Sequence, residues 1–347
     1  MPEITPAKIE RRRRITHEQA EQLLRSREDL LDNGLTDRSL REQVAGGSLH
    51  RVRRGHYVAT RTWKSLWPEG RHLLHIIAVC RDASVPPVLS HVSAAVVRGL
   101  PLYRLEPKRV HVCVPLPRHA GSASDVLRHE LDLDDDDVEE IAGIRVTSAA
   151  RTVLDVARTL QAEAALSIAD AALGSAAVTR HQQDPELAAS WRGDLEQRLD
   201  AVRGRPGARK AGRIVAFADG RAQLPGESVS RLRLHRLGFR NVDLQVRIPA
   251  PDGRSFYCDF GLDDINSFGE FDGLGKYLDP STRGDQNVEE AVVEEKWRED
   301  WVRGTTRRGM LRWGGEHIGT VRAFASRLAA FGVPFTGDLR LDRRRLR

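Results

Sequence analysis

Two acids and a lysine stand close together in the stretch SFGEFDGLGKY, residues 267–277, where Glu270, Asp272 and Lys276 interrupt a run of glycines and aromatics. Just upstream, SFYCDFGL alternates in the manner of a strand, which predicts Phe256, Cys258, Phe260 and Leu262 on one face and Asp259 on the other. By the same alternation Glu270 and Asp272 share a face, and Gly269 and Phe271 take the opposite one. If the two strands pair, their carboxylates converge. Glu227, in the first turn of a helix opened by Pro225 and Gly226, supplies a further acid.

Clustered like charges repel and resist burial unless a cation or a proton compensates them. Magnesium (or manganese) suits such oxygen donors, because it can polarise a phosphoryl oxygen and lower the pKa of bound water. That chemistry is phosphodiester hydrolysis. The expected ligands are Asp259, Glu270 and the backbone carbonyl of Phe271, with Glu227 positioning the ion or its water and Asp272 as a further ligand or support.

The elements that hold these residues can be read along the chain. Thr16 and Gln19 form a T-x-x-Q capping box ahead of Ala20, Leu23 and Leu24 at helical spacing, and Thr36 caps a second helix that stops at Gly46-Gly47. In SLHRVRRGHYVAT, β-formers flank Arg54-Gly55, predicting a hairpin. Helix, turn, helix and basic hairpin predict a winged helix-turn-helix over residues 1–60. Its second helix would present Arg38 and Arg41 to DNA, and its wing His50, Arg51, Arg53 and Arg54.

Residues 61–180 read as a mixed α/β region. Ser90 caps the helix HVSAAVVRGL, RVHVCVPLP alternates as a strand, and TSAARTVLDVARTL is an amphipathic helix. The acid run Asp134 to Asp137 lacks the interleaved glycine and closing glutamate of a calcium loop and reads as a solvated turn. Residues 181–224, polar and rich in Arg and Gly, read as a basic linker with some helix, and 225–325 as a sheet flanked by helices.

At 347 residues the chain is long enough for two or three domains. No run approaches the roughly 20 apolar residues of a membrane span. The basic N-terminus lacks the apolar stretch of a secretory signal, and Cys80, Cys113 and Cys258 are scattered and odd in number. A cytoplasmic protein without disulfides or structural zinc is expected. A formal net charge of +6 suits nucleic acid, yet only 6 of the 55 basic residues are lysines, an arginine bias that a GC-rich genome gives by itself.

The spacing of Glu227, Asp259, Glu270-x-Asp272 and Lys276 resembles the PD-(D/E)xK nuclease superfamily, and more narrowly its very-short-patch-repair-like domain of unknown function. EEKWREDWVRG at 294–304 and MLRW at 310–313 resemble that domain's later helix and closing strand. The superfamily pattern would place a lysine where Asp272 stands, and the resemblance implies that Lys276 or Lys296 supplies that positive charge from elsewhere. The front of the chain, through RRGHYV, SHVSAAVVRGLPL and IRVTSAARTVLDVA, is similar to the AbiEi family of type IV antitoxins and viral-defence regulators. The resemblance implies an α/β multidomain (α+β) chain that joins an AbiEi-like front to a restriction-endonuclease-like domain. Two function classes follow: a DNA-binding, metal-dependent endonuclease in a defence or toxin-antitoxin setting, or a non-catalytic antitoxin or transcriptional regulator that binds its own promoter or a cognate toxin encoded nearby.

Overall fold

The computed structural model describes residues 14–114, 124–251, 253–273, 288–342 and 344, without the side chains of 288–295. The chain forms two compact units, Met1–Val156 and Ala157–Arg347, each mixed α/β. The sequence reading placed divisions near 60, 180 and 224; the division between the two units falls between Val156 and Ala157.

The first unit opens with α1 (His17–Leu23), β1 (Arg25–Ser26), α2 (Arg27–Asp32), α3 (Asp37–Ala45), β2 (Leu49–Arg53) and β3 (His56–Ala59). Thr16 and Thr36 both cap as their spacing requires, each accepting from the backbone N–H three residues on. The sequence reading missed α2, whose own capping box pairs Ser26 with Asp29, and β1, which adds to β3 to give a sheet ordered β1-β3-β2. Gly55 turns the hairpin at a φ of 85° that a side chain would strain.

After α4 (Thr60–Ser65) comes α5 (Pro68–Asp82), buried along its whole middle from His72 to Val79. This helix joins the elements before residue 60 to those after it: it packs on α1 and β2 and also on α6 (His91–Val97) and β5 (Val110–Val114). One core therefore serves the hairpin and the five-stranded sheet that follows. That sheet adds β4 (Val88–Leu89), β6 (Val126–Glu130), β7 (Val138–Ile141) and β8 (Ile144–Thr147) in the order β6-β5-β4-β8-β7. β5 and β6 run parallel, as do β4 and β8.

Two local expectations change here. Ser90 occupies the N-cap position of α6 but makes no capping bond; its Oγ lies 3.1 Å from Nδ1 of His91 instead. The acid run is only partly solvated. Asp137, at the end of a 3-10 turn, is buried and pairs with Arg151 at 2.7 Å, while Arg151 also reaches Asp155 at 3.2 Å. Arg151 lies in α7 (Ala149–Thr159). Burial opposes its charge, but Asp155 and Asp137 outweigh it and hold the guanidinium above its ordinary pKa.

The second unit contains α8 (Ala162–Ala177), a small β9 (Val178–Thr179) and β10 (Gln182–Gln183) ribbon, α9 (Pro185–Ala201), α10 (Ala208–Phe217) and α11 (Pro225–Arg236). Residues 181–224 are thus packed helices rather than a linker: Ala188, Leu195, Ala211, Ile214 and Val215 are buried against α8 and each other. Their few apolar residues recur at helical spacing, which a polar composition concealed.

The sheet of this unit comprises β11 (Val242–Pro249), β12 (Ser255–Leu262), β13 (Ser267–Asp272) and β14 (Gly309–Gly314), in that spatial order. The first three are antiparallel neighbours and β14 lies parallel to β13. α12 (Val288–Thr306) separates β13 from β14, and α13 (Val321–Ala329) follows. On β13 the two faces divide as the alternation requires. Gly226 of α11 lets the Phe271 ring approach so closely that a Cβ there would lie 2.0 Å from it, and Gly269 does the same for Trp313 at 2.2 Å. Phe268, one residue out of step, joins Val302 of α12 in a different cluster.

β12 does not keep the single apolar face expected of it. Phe256 and Cys258 pack with Phe268, Val302 and Met310, whereas the Phe260 ring meets Trp313 at 5.3 Å. The change falls at Asp259, where β11–β12 pairing is interrupted opposite Gln245, a residue with φ of 51°. Such an irregularity re-aims side chains, as bulges beside functional sites do. No helix of the described residues is long and apolar enough to cross a membrane.

Candidate functional site

The acids of the second unit are placed by three elements. The β12–β13 register runs from Leu262 and Ser267 to Phe260 and Gly269, and Asp259 and Glu270 are the next residues on the two neighbouring strands. The Phe271 N–H donates to Asp259 Oδ2 at 2.9 Å, fixing that carboxylate across the strand pair. Glu227 sits in the first turn of α11, 1% exposed, and its Oε2 accepts from the Gln223 N–H at 2.8 Å and from Gln245 Nε2 at 3.4 Å. Asp272 ends β13, half-buried. Lys276 lies outside the described residues. Lys296, exposed, is on α12.

Two arginines that the sequence reading did not single out dominate the centre. Glu270, buried, is engaged by Arg298 of α12 and by Arg312 of β14, the latter at 3.2 Å. Arg312 is the parallel-register neighbour of Glu270 and also reaches Glu299 at 3.4 Å, while Arg298 donates to the Tyr257 carbonyl at 3.1 Å. Both lie in stretches whose resemblance was noted, EEKWREDWVRG and MLRW, but nothing local to either stretch points to Glu270. Glu227, Asp259 and Glu270 do not bring three ligand atoms within 4.8 Å of one another; among the described residues the group that does is His91, His111 and His129.

In the first unit, Arg38 and Arg41 lie exposed on α3, Arg38 against Glu42 at 3.0 Å and Arg41 on the Asp37 carbonyl at 3.1 Å. Arg51 and Arg54 are exposed on the hairpin, and among the described residues no carboxylate engages them. Arg53 differs from its neighbours: its side chain is 22% exposed and is fixed by Asp82 at 3.1 Å and Asp125 at 2.7 Å. His50 is also drawn inward, stacked on Trp63 at 4.1 Å, and burial followed by the Arg71 charge lowers its pKa. A cleft of about 800 Å³ opens beside the hairpin, edged by Arg51, Arg54, Arg71 and Lys108 with Glu106 and Asp125 among them.

No protein-family model matches the chain. It is similar to an uncharacterized protein of Mycobacterium tuberculosis found in strains CDC 1551 and H37Rv, with 29% identity over 144 residues, 42% of this chain. The matched part spans about half the length of those relatives, 49%. Among solved structures, the crystal structure of the RV2827C protein from Mycobacterium tuberculosis is similar with 16% identity and a TM-score of 0.34, covering 70% of this chain and 91% of that one.

Proposed function

We propose that the chain binds DNA through α3 and the β2–β3 hairpin of its first unit, and hydrolyses phosphodiester bonds at the acids of its second. The observation that carries the hydrolytic half is the Phe271 N–H on Asp259 Oδ2, which holds that carboxylate against the strand that bears Glu270 one residue before Phe271. Binding is supported by Arg38, Arg41, Arg51 and Arg54, exposed on two consecutive elements of one unit. The resemblance to AbiEi-type regulators and to PD-(D/E)xK nucleases gives the same division of labour.

The donor set fits magnesium, which ordinarily takes one or two carboxylates and keeps several waters, so three convergent acids are not required. Asp259 and Glu270, with the Phe271 carbonyl, would hold it, and when bound it supplies Lewis-acid activation of water and phosphate. The protein's own groups do the rest. The Phe271 N–H fixes the Asp259 carboxylate, Glu227 braces the start of α11, and Arg298 and Arg312 hold Glu270 and place positive charge where a phosphoryl group gains negative charge. They stand in for the motif lysine that Asp272 replaces.

One observation favours a second reading, a DNA-binding regulator of antitoxin type with a non-catalytic platform. Arg298 and Arg312 already offset the Glu270 charge, so that site is electrostatically satisfied without an ion. The deciding experiment incubates supercoiled plasmid, single-stranded DNA and RNA with magnesium, manganese or chelator, beside Asp259→Ala and Glu270→Ala. Hydrolysis predicts cleavage that disappears with chelator and in both variants. Tight duplex binding without cleavage by wild type under either metal leaves the regulator.

A further inference from the structure

We propose that His91, His111 and His129 form a zinc-binding site in the first unit, a site that none of the chemistry above uses. One ring nitrogen from each lies within 4.8 Å of the other two, although the three residues come from different elements. His91 opens α6, His111 stands on β5 and His129 on the parallel neighbour β6.

The geometry goes beyond proximity. Nδ1 of His111 and Nε2 of His129 are 3.0 Å apart. Two nitrogens bound to one tetrahedral zinc at about 2.0–2.1 Å sit roughly 3.3 Å apart, so this pair needs little adjustment. The His91 ring stacks on His129 at 3.8 Å and lies 5.6 Å from His111. An entering ion would replace the His111–His129 hydrogen bond and turn the His91 ring off its stack.

The supports are those of a ligating set. Ser90 Oγ at 3.1 Å from Nδ1 of His91 orients that ring with Nε2 as the ligating atom. Metal-bound histidines ordinarily have the other ring nitrogen held in this way. The His111 backbone N–H donates to Ser93 Oγ at 2.8 Å, and that buried hydroxyl also meets His72 Nε2 at 2.9 Å, fixing the strand under its imidazole.

His91 itself is 5% exposed and has a φ of 49°, a left-handed conformation that is costly for a non-glycine residue and persists only where its surroundings impose it. Its imidazole meets those of His111 on β5 and His129 on β6. Three imidazoles select zinc and its later transition-metal neighbours over magnesium, and three protein ligands leave a fourth position for water or an exogenous anion.

The test uses the untagged full chain, stripped with chelator, dialysed against zinc and assayed for bound metal, with cobalt substitution as the spectroscopic probe. The expected result is about one zinc per chain and a cobalt absorption band of tetrahedral intensity. His111→Gln and His129→Gln should each weaken zinc by more than about 100-fold, and Ser90→Ala by about 10- to 100-fold, with Asp259→Ala unchanged. Far-ultraviolet dichroism checks that each variant folds; should one not, the wild-type zinc and cobalt titrations decide. A wild-type chain that retains no zinc and gives no cobalt band overturns the proposal, as does a His111→Gln, His129→Gln double variant that binds zinc like wild type.

Discussion

Arginine is used in opposite ways on the hairpin of the first unit and in the interior of the second. On the hairpin of the first, Arg51 and Arg54 project into solvent. In the second, Arg231 lies in the interior, its Nη2 3.1 Å from both oxygens of Asp170, its Nη1 on the Phe217 carbonyl at 2.7 Å and its guanidinium 4.2 Å over the Phe217 ring. Arg298 and Arg312 close on Glu270 in similar fashion. A basic composition therefore does not by itself mark a phosphate-binding surface. Burial decides which cations are available to a ligand and which compensate the protein's own acids.

The largest test of that contrast is Arg231→Ala. It leaves Asp170, fully buried, with the Asp219 N–H at 2.9 Å in place of a full counter-charge. Removing one partner of a buried pair costs about 3–5 kcal/mol, read here by urea denaturation near neutral pH. Burial pushes the Asp170 carboxyl from 3.8 up to about 6 even though Arg231 opposes the rise. The native state then holds a proton that the unfolded chain has lost between those values, so this group's contribution to stability declines as pH rises from about 4 to 6. The cost of Arg231→Ala should accordingly shrink at pH 5, where Asp170 is neutral. A cost independent of pH would mean that the guanidinium acts through packing on Phe217 alone.

How far these features could be read from sequence depends on how far apart their partners lie. The capping box at Thr16 and the cap at Thr36 involve residues three positions apart and were legible. The face of β12 was misread because the strand changes face at Asp259, where pairing with β11 is interrupted, and nothing in the alternation of the sequence marks that position. Arg53 looked like its neighbours, and nothing near it in the chain announces Asp82 or Asp125. The histidine set has no motif at all, since three strands or helix ends must assemble before its members meet.

Glu270→Ala sharpens the comparison at intermediate size. If the acids of the second unit simply repelled one another, removing Glu270 would stabilise the protein in metal-free buffer. The two arginines reverse that sign, because both are left with a charge that Glu270 had offset. A loss of about 1–3 kcal/mol is expected by urea denaturation in the presence of chelator, the penalty of leaving a buried donor unsatisfied. A gain would show that repulsion among the carboxylates outweighs the arginine contacts, and would strengthen the case for a resident cation.

The smallest effect on stability separates neighbours on the hairpin itself. Arg51→Ala and Arg54→Ala remove exposed side chains, so each should change stability by no more than about 0.5 kcal/mol. Each should nonetheless lower the slope of log affinity for duplex DNA against log salt by about 1, because a phosphate contact releases about one counterion. Arg53→Ala should do the reverse. It strips Asp82 and Asp125 of a shared partner within the fold, destabilising by about 1 kcal/mol or more while leaving the salt slope in place. Fluorescence anisotropy on one duplex across a salt series, paired with urea denaturation of the same three variants, reads both quantities. Equal slopes for all three variants and wild type would move the DNA contact off the hairpin and onto Arg38 and Arg41 of α3. A reduced slope for Arg53→Ala alone would mean that its aspartates yield to phosphate, and that burial had been the wrong criterion for telling these arginines apart.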